Sequence, residues 1–265
     1  MKPSKHQLSA LIALASVVVA APSAMAVLSY ASDDLFIGFH QTGNTAKEYI
    51  INIGQASTYR DATTPITLSL NAVSFAADMQ AAFGAGWRTS GDVFWGVAGT
   101  TQNTAQGSDP IRLLYASEPT GGTAPAASSS QSGPSGAIIS FKNNWQTNGI
   151  AGSVSNSATL DPTISTPPSW TNSVGNAAGP FGTGALNPLE ALLATHLDLF
   201  RMPQTTTGQS VTNEGTFAIN FGANTISFVP QVPEPSSAVL AGFGLLVWIA
   251  RSRYRRASVA RFVEV

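Results

Sequence analysis

The sequence predicts a mainly β protein, with α+β as the alternative class: an antiparallel β-sandwich-like domain carrying two short helices and long Ser/Gly/Pro-rich loops. Three observations point there. Short apolar runs alternate with a period of two. Two β-rich runs near residues 216 and 225 flank a turn. Uncharged, low-complexity stretches separate the patterned segments, and β-patterned runs fall both before and after them, which favours one domain with long loops over two domains.

Each element has its own signal. In DLFIGFH (34–40), Leu35, Ile37 and Phe39 alternate with Phe36, Gly38 and His40, as a half-buried strand should. EYIINIG (48–54) sets Tyr49, Ile51 and Ile53 on one side, and VFWGVAG (93–99) does the same with Val93, Trp95 and Val97. IRLLYA (111–116) gives Ile111, Leu113 and Tyr115. TFAINF and TISFV, separated by Gly222, Ala223 and Asn224, read as a hairpin. A helix is expected after Asn71, because Phe75, Met79, Ala82 and Phe83 recur at helical spacing before Gly84. A second is expected from NPLEALLATH, with Asn187 as N-cap, Pro188 at the first turn and Glu190 three residues on. It should end near Thr195, with LDLFRM continuing as a strand. Residues 119–137 and 151–184 are poor in bulky apolar side chains. They cannot offset an ordering cost of about 1–2 kcal/mol per residue, so both read as exposed loops.

Charge narrows the function classes. The formal net charge is -1, with charged residues at 10%. The body from Val27 to Val232 holds twelve acids against six bases. A mildly acidic body without clustered cations argues against nucleic acid as a partner. There is no cysteine, which excludes disulfides, thiolate metal sites, a cysteine nucleophile and a lipidated cysteine.

The remaining basic residues lie at the two ends. Lys2 and Lys5 precede the apolar stretch LSALIALASVVVA, and Ala24-Met25-Ala26 follows with small residues at Ala24 and Ala26. This is the pattern of a signal peptide over residues 1–26, read by Sec and signal peptidase and cleaved after Ala26. The body, 27–230, would then be one β-rich exported domain. In the tail, fifteen uncharged residues run from Ser236 to Ala250. As a helix they would extend roughly 22 Å, short of a hydrocarbon core of about 30 Å. Trp248 and the snorkelling stems of Arg251, Arg253, Arg255 and Arg256 extend the reach, and the arginines place the C-terminus on the cytoplasmic side. Pro233 and Pro235 keep the step before the helix extended.

VPEP, a short Gly/Leu-rich hydrophobic run and an Arg cluster, in that order, resemble the PEP-CTERM sorting domain of Gram-negative bacteria, over residues 231–265. The resemblance implies that Pro233, Glu234 and Pro235 form the step recognised by exosortase, a membrane-embedded transpeptidase-like enzyme. It implies that residues 236–250 form the transmembrane sorting helix and Arg251, Arg253, Arg255 and Arg256 the basic stop. It further implies export across the inner membrane, a transient anchor there, and delivery to the cell surface or an exopolysaccharide (biofilm) matrix. The body also looks like mature regions of other PEP-CTERM proteins, to which no activity attaches.

Catalytic patterns are sparse. His40 and His196 are the histidines outside the signal, and neither has a partner at i+4, so both read as surface or boundary residues and no metal or cofactor is expected. GPSGA (133–137) lacks the spacing of a nucleophile elbow and falls in an expected loop. Asp33, Asp34, Asp92 and Asp109 read as solvated acids at strand edges and turns. Trp95 reads as core, whereas Trp87, Trp145 and Trp170 stand in Gly-, Asn- or Pro-rich surroundings and are candidate glycan contacts if exposed, with core or loop-anchoring roles as the competing reading. The leading expectation is a non-enzymatic surface or matrix protein. The alternatives are an extracellular polysaccharide-binding module and, behind it, a matrix glycan hydrolase with two carboxylates across a cleft.

Overall fold

A computed structural model of the chain describes residues 28–41, 47–125, 129–161, 170, 190–231 and 248. The expected signal segment with Ala24 and Ala26, and the tail with Pro233, Glu234, Pro235 and the arginines, lie outside these residues. So does Asn187, the expected cap of the second helix.

The mainly antiparallel β class is what the structure has. The strands are β1 (Asp34–Gln41), β2 (Glu48–Gln55), β3 (Ile66–Ser69), β4 (Val93–Thr100), β5 (Leu114–Pro119), β6 (Ile150–Ala151), β7 (Ser157–Leu160), β8 (Glu190–Leu192), β9 (Leu197–Met202), β10 (Thr212–Asn220) and β11 (Thr225–Pro230). Among the described residues they form one sheet in the order β3-β11-β10-β9-β5-β4-β1-β2-β7-β6, with β8 pairing the first half of β4. The helices are α1 (Ala56–Arg60), α2 (Ala72–Phe83) and α3 (Ser132–Asn148).

Layering comes from this single sheet, which has a hydrophobic core on each face. On one face Leu35, Ile37, Phe39, Trp95, Tyr115, Leu199, Phe217 and Phe228 join Tyr59 of α1 and Phe75 and Met79 of α2. Side chains from strands as far apart in the sheet as β2 and β11 share this core, so the sheet curls around it. On the other face Phe36, Ile50, Ala98, Leu114, Ala116 and Phe200 meet Ile138, Phe141 and Trp145 of α3, with Trp170 beside them. Residue pairing shows why α3 fits: Phe36, Ala98, Ala116 and Phe200 form one cross-strand row. The two alanines at its centre leave room for the helix. Burying each large α3 side chain contributes roughly 1.5–3 kcal/mol.

Several local expectations hold. Asn71 caps α2, its side chain accepting from the N–H groups of Val73 and Ser74, and Gly84 ends the helix at φ +84. The hairpin joins β10 to β11, Asn220 facing Thr225. The Asn220 side-chain oxygen accepts from Gly222 N–H and Ala223 N–H, both at 3.0 Å.

Five expectations are corrected. β1 is buried on both faces rather than half-buried, because α3 covers the face that alternation assigned to solvent. The stretch 132–137 is the start of α3, not loop: Ile138, Phe141, Lys142 and Trp145 fall at i, i+3, i+4 and i+7 and are all buried. Ser157–Leu160, inside the second stretch read as loop, pairs with β2. Glu190–Leu192 is strand, not helix, because Gly96, Trp95 and Phe94 of β4 offer it backbone partners. Ile111 and Arg112 also precede β5, which begins at Leu114. Among the described residues no helix is long and apolar enough to cross a membrane.

Candidate functional sites

β4 runs between β1 and β8, pairing with both through Phe94, Trp95 and Gly96, and Glu190 reaches His40 across it. The imidazole Nδ1 lies 2.8 Å from Glu190 Oε1, and the ring stacks on Phe94 at 5.7 Å. The Trp170 indole N–H donates to the same Glu190 oxygen at 2.6 Å, and its backbone N–H donates to Glu48 Oε2 at 2.7 Å. His40, Glu190, Trp170 and Glu48 are all buried. Burial pulls the His40 pKa down, but the Glu190 hydrogen bond and the charges of Glu190 and Glu48 hold it above the ordinary value. Burial raises the Glu190 carboxyl. Chemically the cluster is a closed acid–base pair that ties down an indole.

A second polar group sits near the opposite end of β1. Asp109 is fully buried; its carboxylate accepts from Arg201 Nε at 2.7 Å and from the Tyr115 hydroxyl at 2.6 Å, and Arg60 Nη1 forms an ion pair with it at 2.6 Å. Asp33 is buried nearby at φ +73, and neither carboxyl oxygen has a hydrogen-bond partner. Burial, and next the charge of Asp109, push its pKa up to about 7, against the pull of Arg60 and Lys142. On the α3 face, Lys142 is fully buried. Its Nζ donates to Ala31 O at 3.3 Å and lies 4.7 Å from the Tyr30 ring and 5.4 Å from the Phe36 ring. Burial lowers this ammonium to about 8, although Asp34 and Asp33 favour its charge.

An open groove of about 470 Å³ runs between β2 and β3, with Ile51, Ile53, Leu68, Leu70 and Val154 along it and no charged lining residue. Among the described residues no three His, Asp or Glu side chains converge as metal ligands would.

The sequence-derived candidates fall differently from expectation. Trp87, Trp145 and Trp170 are not exposed: each is at most 2% accessible. Trp87 packs edge-on against Phe75 and Phe221, Trp145 against Phe36, and Trp170 against Phe141. Their core and anchoring reading is the one the structure supports, since neighbouring aromatic edges and α3 cover their faces. His40 is likewise buried and paired rather than at the surface, while His196 is exposed. Asp33, Asp34 and Asp109 are buried, not solvated; Arg60, Arg201 and Tyr115 enclose Asp109, and Ala31 N–H and Asn52 hold Asp34. Ser135 of GPSGA sits in the first turns of α3, its hydroxyl 2.9 Å from that of Thr100. The His40–Glu190 pair had no signal in the sequence, its members lying 150 positions apart.

The last described strand leads straight into the tail. β11 ends at Pro230, and the Gln231 N–H donates to Glu214 O at 2.9 Å. The chain is thus a mainly antiparallel β protein whose sheet is followed at once by a C-terminal sorting segment. Residues 231–256 match the PEP-CTERM protein-sorting motif, and the chain carries the signal of an exported, exosortase-processed protein. Neither the curated proteins nor the solved structures compared with it include a significant match.

Proposed function

We propose that the protein is a non-enzymatic component of the cell surface or of its exopolysaccharide matrix. The N-terminal signal exports it, the tail holds it transiently at the inner membrane with the C-terminus in the cytoplasm, and exosortase releases it near Pro233-Glu234-Pro235. The observation that carries this reading is the sorting motif at 231–256, beginning where β11 ends. Among the described residues, Glu190 is engaged with His40 and Trp170, and Asp109 with Arg60, Arg201 and Tyr115. Sugar binding on a platform of Trp87, Trp145 and Trp170 is not part of this reading, because those rings are core.

The test is mass spectrometry of the C-terminus of the extracellular protein from its native host. A terminus within a few residues of Glu234, reverting to an intact end in a host lacking exosortase, is the expected result. An extracellular form still ending in RASVARFVEV contradicts it.

A further inference from the structure

The end of the sheet from which the tail emerges is set by pairing. Pro230 faces Gly215 of β10, and Phe228 faces Ile66 of β3. Arg201 of β9 faces Thr212, and Leu114 of β5 faces Met202. Three connections therefore share this end: residues 61–65, 101–113 and 203–211. The Ala223 turn of the β10–β11 hairpin is at the other end. β11 rises about 3.3 Å per residue, so the two ends are separated by roughly 20 Å.

The leash is short. Five Cα–Cα steps, with four residues between, lead from Gln231, tied to Glu214, to Ser236, where the apolar run begins. Even fully extended they span at most roughly 18 Å. A headgroup layer takes up about 5–8 Å of that on each side of the bilayer. What remains is about the height of a surface loop. The connections at this end suit such proximity. Residues 203–211 (PQTTTGQSV) are uncharged, in 61–65 the charge is the exposed Asp61, paired with Arg60 at 2.7 Å, and in 101–113 the charges are Arg112 and the buried, ion-paired Asp109. Ile111 is half exposed there. No cluster of charge has to be desolvated.

We propose that, while the tail is inserted, the domain stands on the bilayer with this end down, so that residues 61–65, 101–113 and 203–211 lie against lipid headgroups and the Ala223 turn points away. The proposal rests on the anchoring read from the sorting motif. It adds a fixed orientation, in which the folded domain itself limits access to the Pro-Glu-Pro step.

The chain has no cysteine, so single cysteines report position cleanly. Thr206→Cys, Asn103→Cys and Ala223→Cys are made in the full-length, uncleaved chain, labelled with a fluorophore, and reconstituted in phosphatidylethanolamine/phosphatidylglycerol vesicles carrying nitroxide on the headgroups. Labels at 206 and 103 should be quenched several-fold more than the label at 223. Twelve Gly/Ser residues inserted between Gln231 and Val232 add about 20 Å of mean reach and should erase the difference while the protein still floats with the vesicles. Flotation with equal or reversed quenching overturns the orientation and leaves the anchor standing. Failure to float overturns the anchor and the orientation with it.

Discussion

The Trp170 indole lies directly on the bare backbone of Gly38: a Cβ added at Gly38 would meet three ring atoms at 2.1, 2.2 and 2.5 Å. The glycine in DLFIGFH is therefore the seat of a buried ring, and the strand has no room for any other residue there.

Gly38→Ala should destabilise the domain by about 1–3 kcal/mol, the usual range for overfilling a packed core. In a Trp170→Ala background the same change should cost much less, because the clash is gone. Urea denaturation of the four proteins gives the coupling. Additive losses would mean that ring and glycine do not meet.

Glu190 sets the protonation of His40. Burial alone lowers the imidazole, and the carboxylate reverses that. In Glu190→Gln the His40 titration, followed by NMR, should fall from above 6.5 to below it. A raised histidine contributes stability that is fully present below its unfolded value and lost as pH rises through the folded one. The wild type should therefore lose more stability than Glu190→Gln between pH 6 and pH 8.5. An unchanged His40 titration refutes the assignment.

How legible this was depends on how local each signal is. Strands β1, β2, β4, β10 and β11 were readable because their alternation lies within a few residues, and α2 because Asn71 and Gly84 mark its ends. α3 was hidden by composition: Ser, Gly, Pro and Asn outweigh its apolar stripe. The i, i+3, i+7 spacing of Ile138, Phe141 and Trp145 was nevertheless there to be found. β8 shows the opposite failure. Its cap-like residues were a true local signal, overridden by pairing with β4 and by the His40 and Trp170 contacts of Glu190. The sorting tail was fully legible, since its three parts are contiguous. The buried acids were not, because burial is decided by segments distant in sequence.

Asp33 makes stability fall as pH rises from about 4 to about 7. Its folded pKa is raised from 3.8 to about 7, so its contribution is complete below about pH 4 and lost as pH rises through 7. Asp33→Asn keeps the shape, stays neutral, and tolerates the left-handed backbone at φ +73. Thermal melts should show the variant close to wild type at pH 4 and more stable, by about 1–3 kcal/mol after screening by solvent, at pH 8.5. A difference independent of pH would show that the carboxyl does not ionise there.

Removing the Asn71 side chain takes away the acceptor for two N–H groups at 3.2 Å. Asn71→Ala should cost about 1 kcal/mol, and Asn71→Asp should cost little, because its carboxylate caps equally well and suits the helix N-terminus. Equal losses for the two variants would argue that packing rather than capping is at stake.

Lys142 tests whether the buried ammonium helps or hurts. It makes one hydrogen bond, at 3.3 Å, and lies over two rings. Asp34 does not depend on it, since Ala31 N–H and Asn52 Nδ2 both donate to Asp34 Oδ2 at 2.8 Å. A depressed lysine pKa means the charged form is carried at a cost at neutral pH. That cost is constant below about 8 and disappears as pH climbs toward the unfolded value of 10.5. Met fills the same volume without charge, and such replacements of buried ions are commonly neutral or stabilising. Lys142→Met should therefore be at least as stable as wild type at pH 6–7, with any advantage shrinking above pH 8. A loss of about 3 kcal/mol or more at pH 7 would mean that the ammonium is a required partner of Asp34 and Asp33.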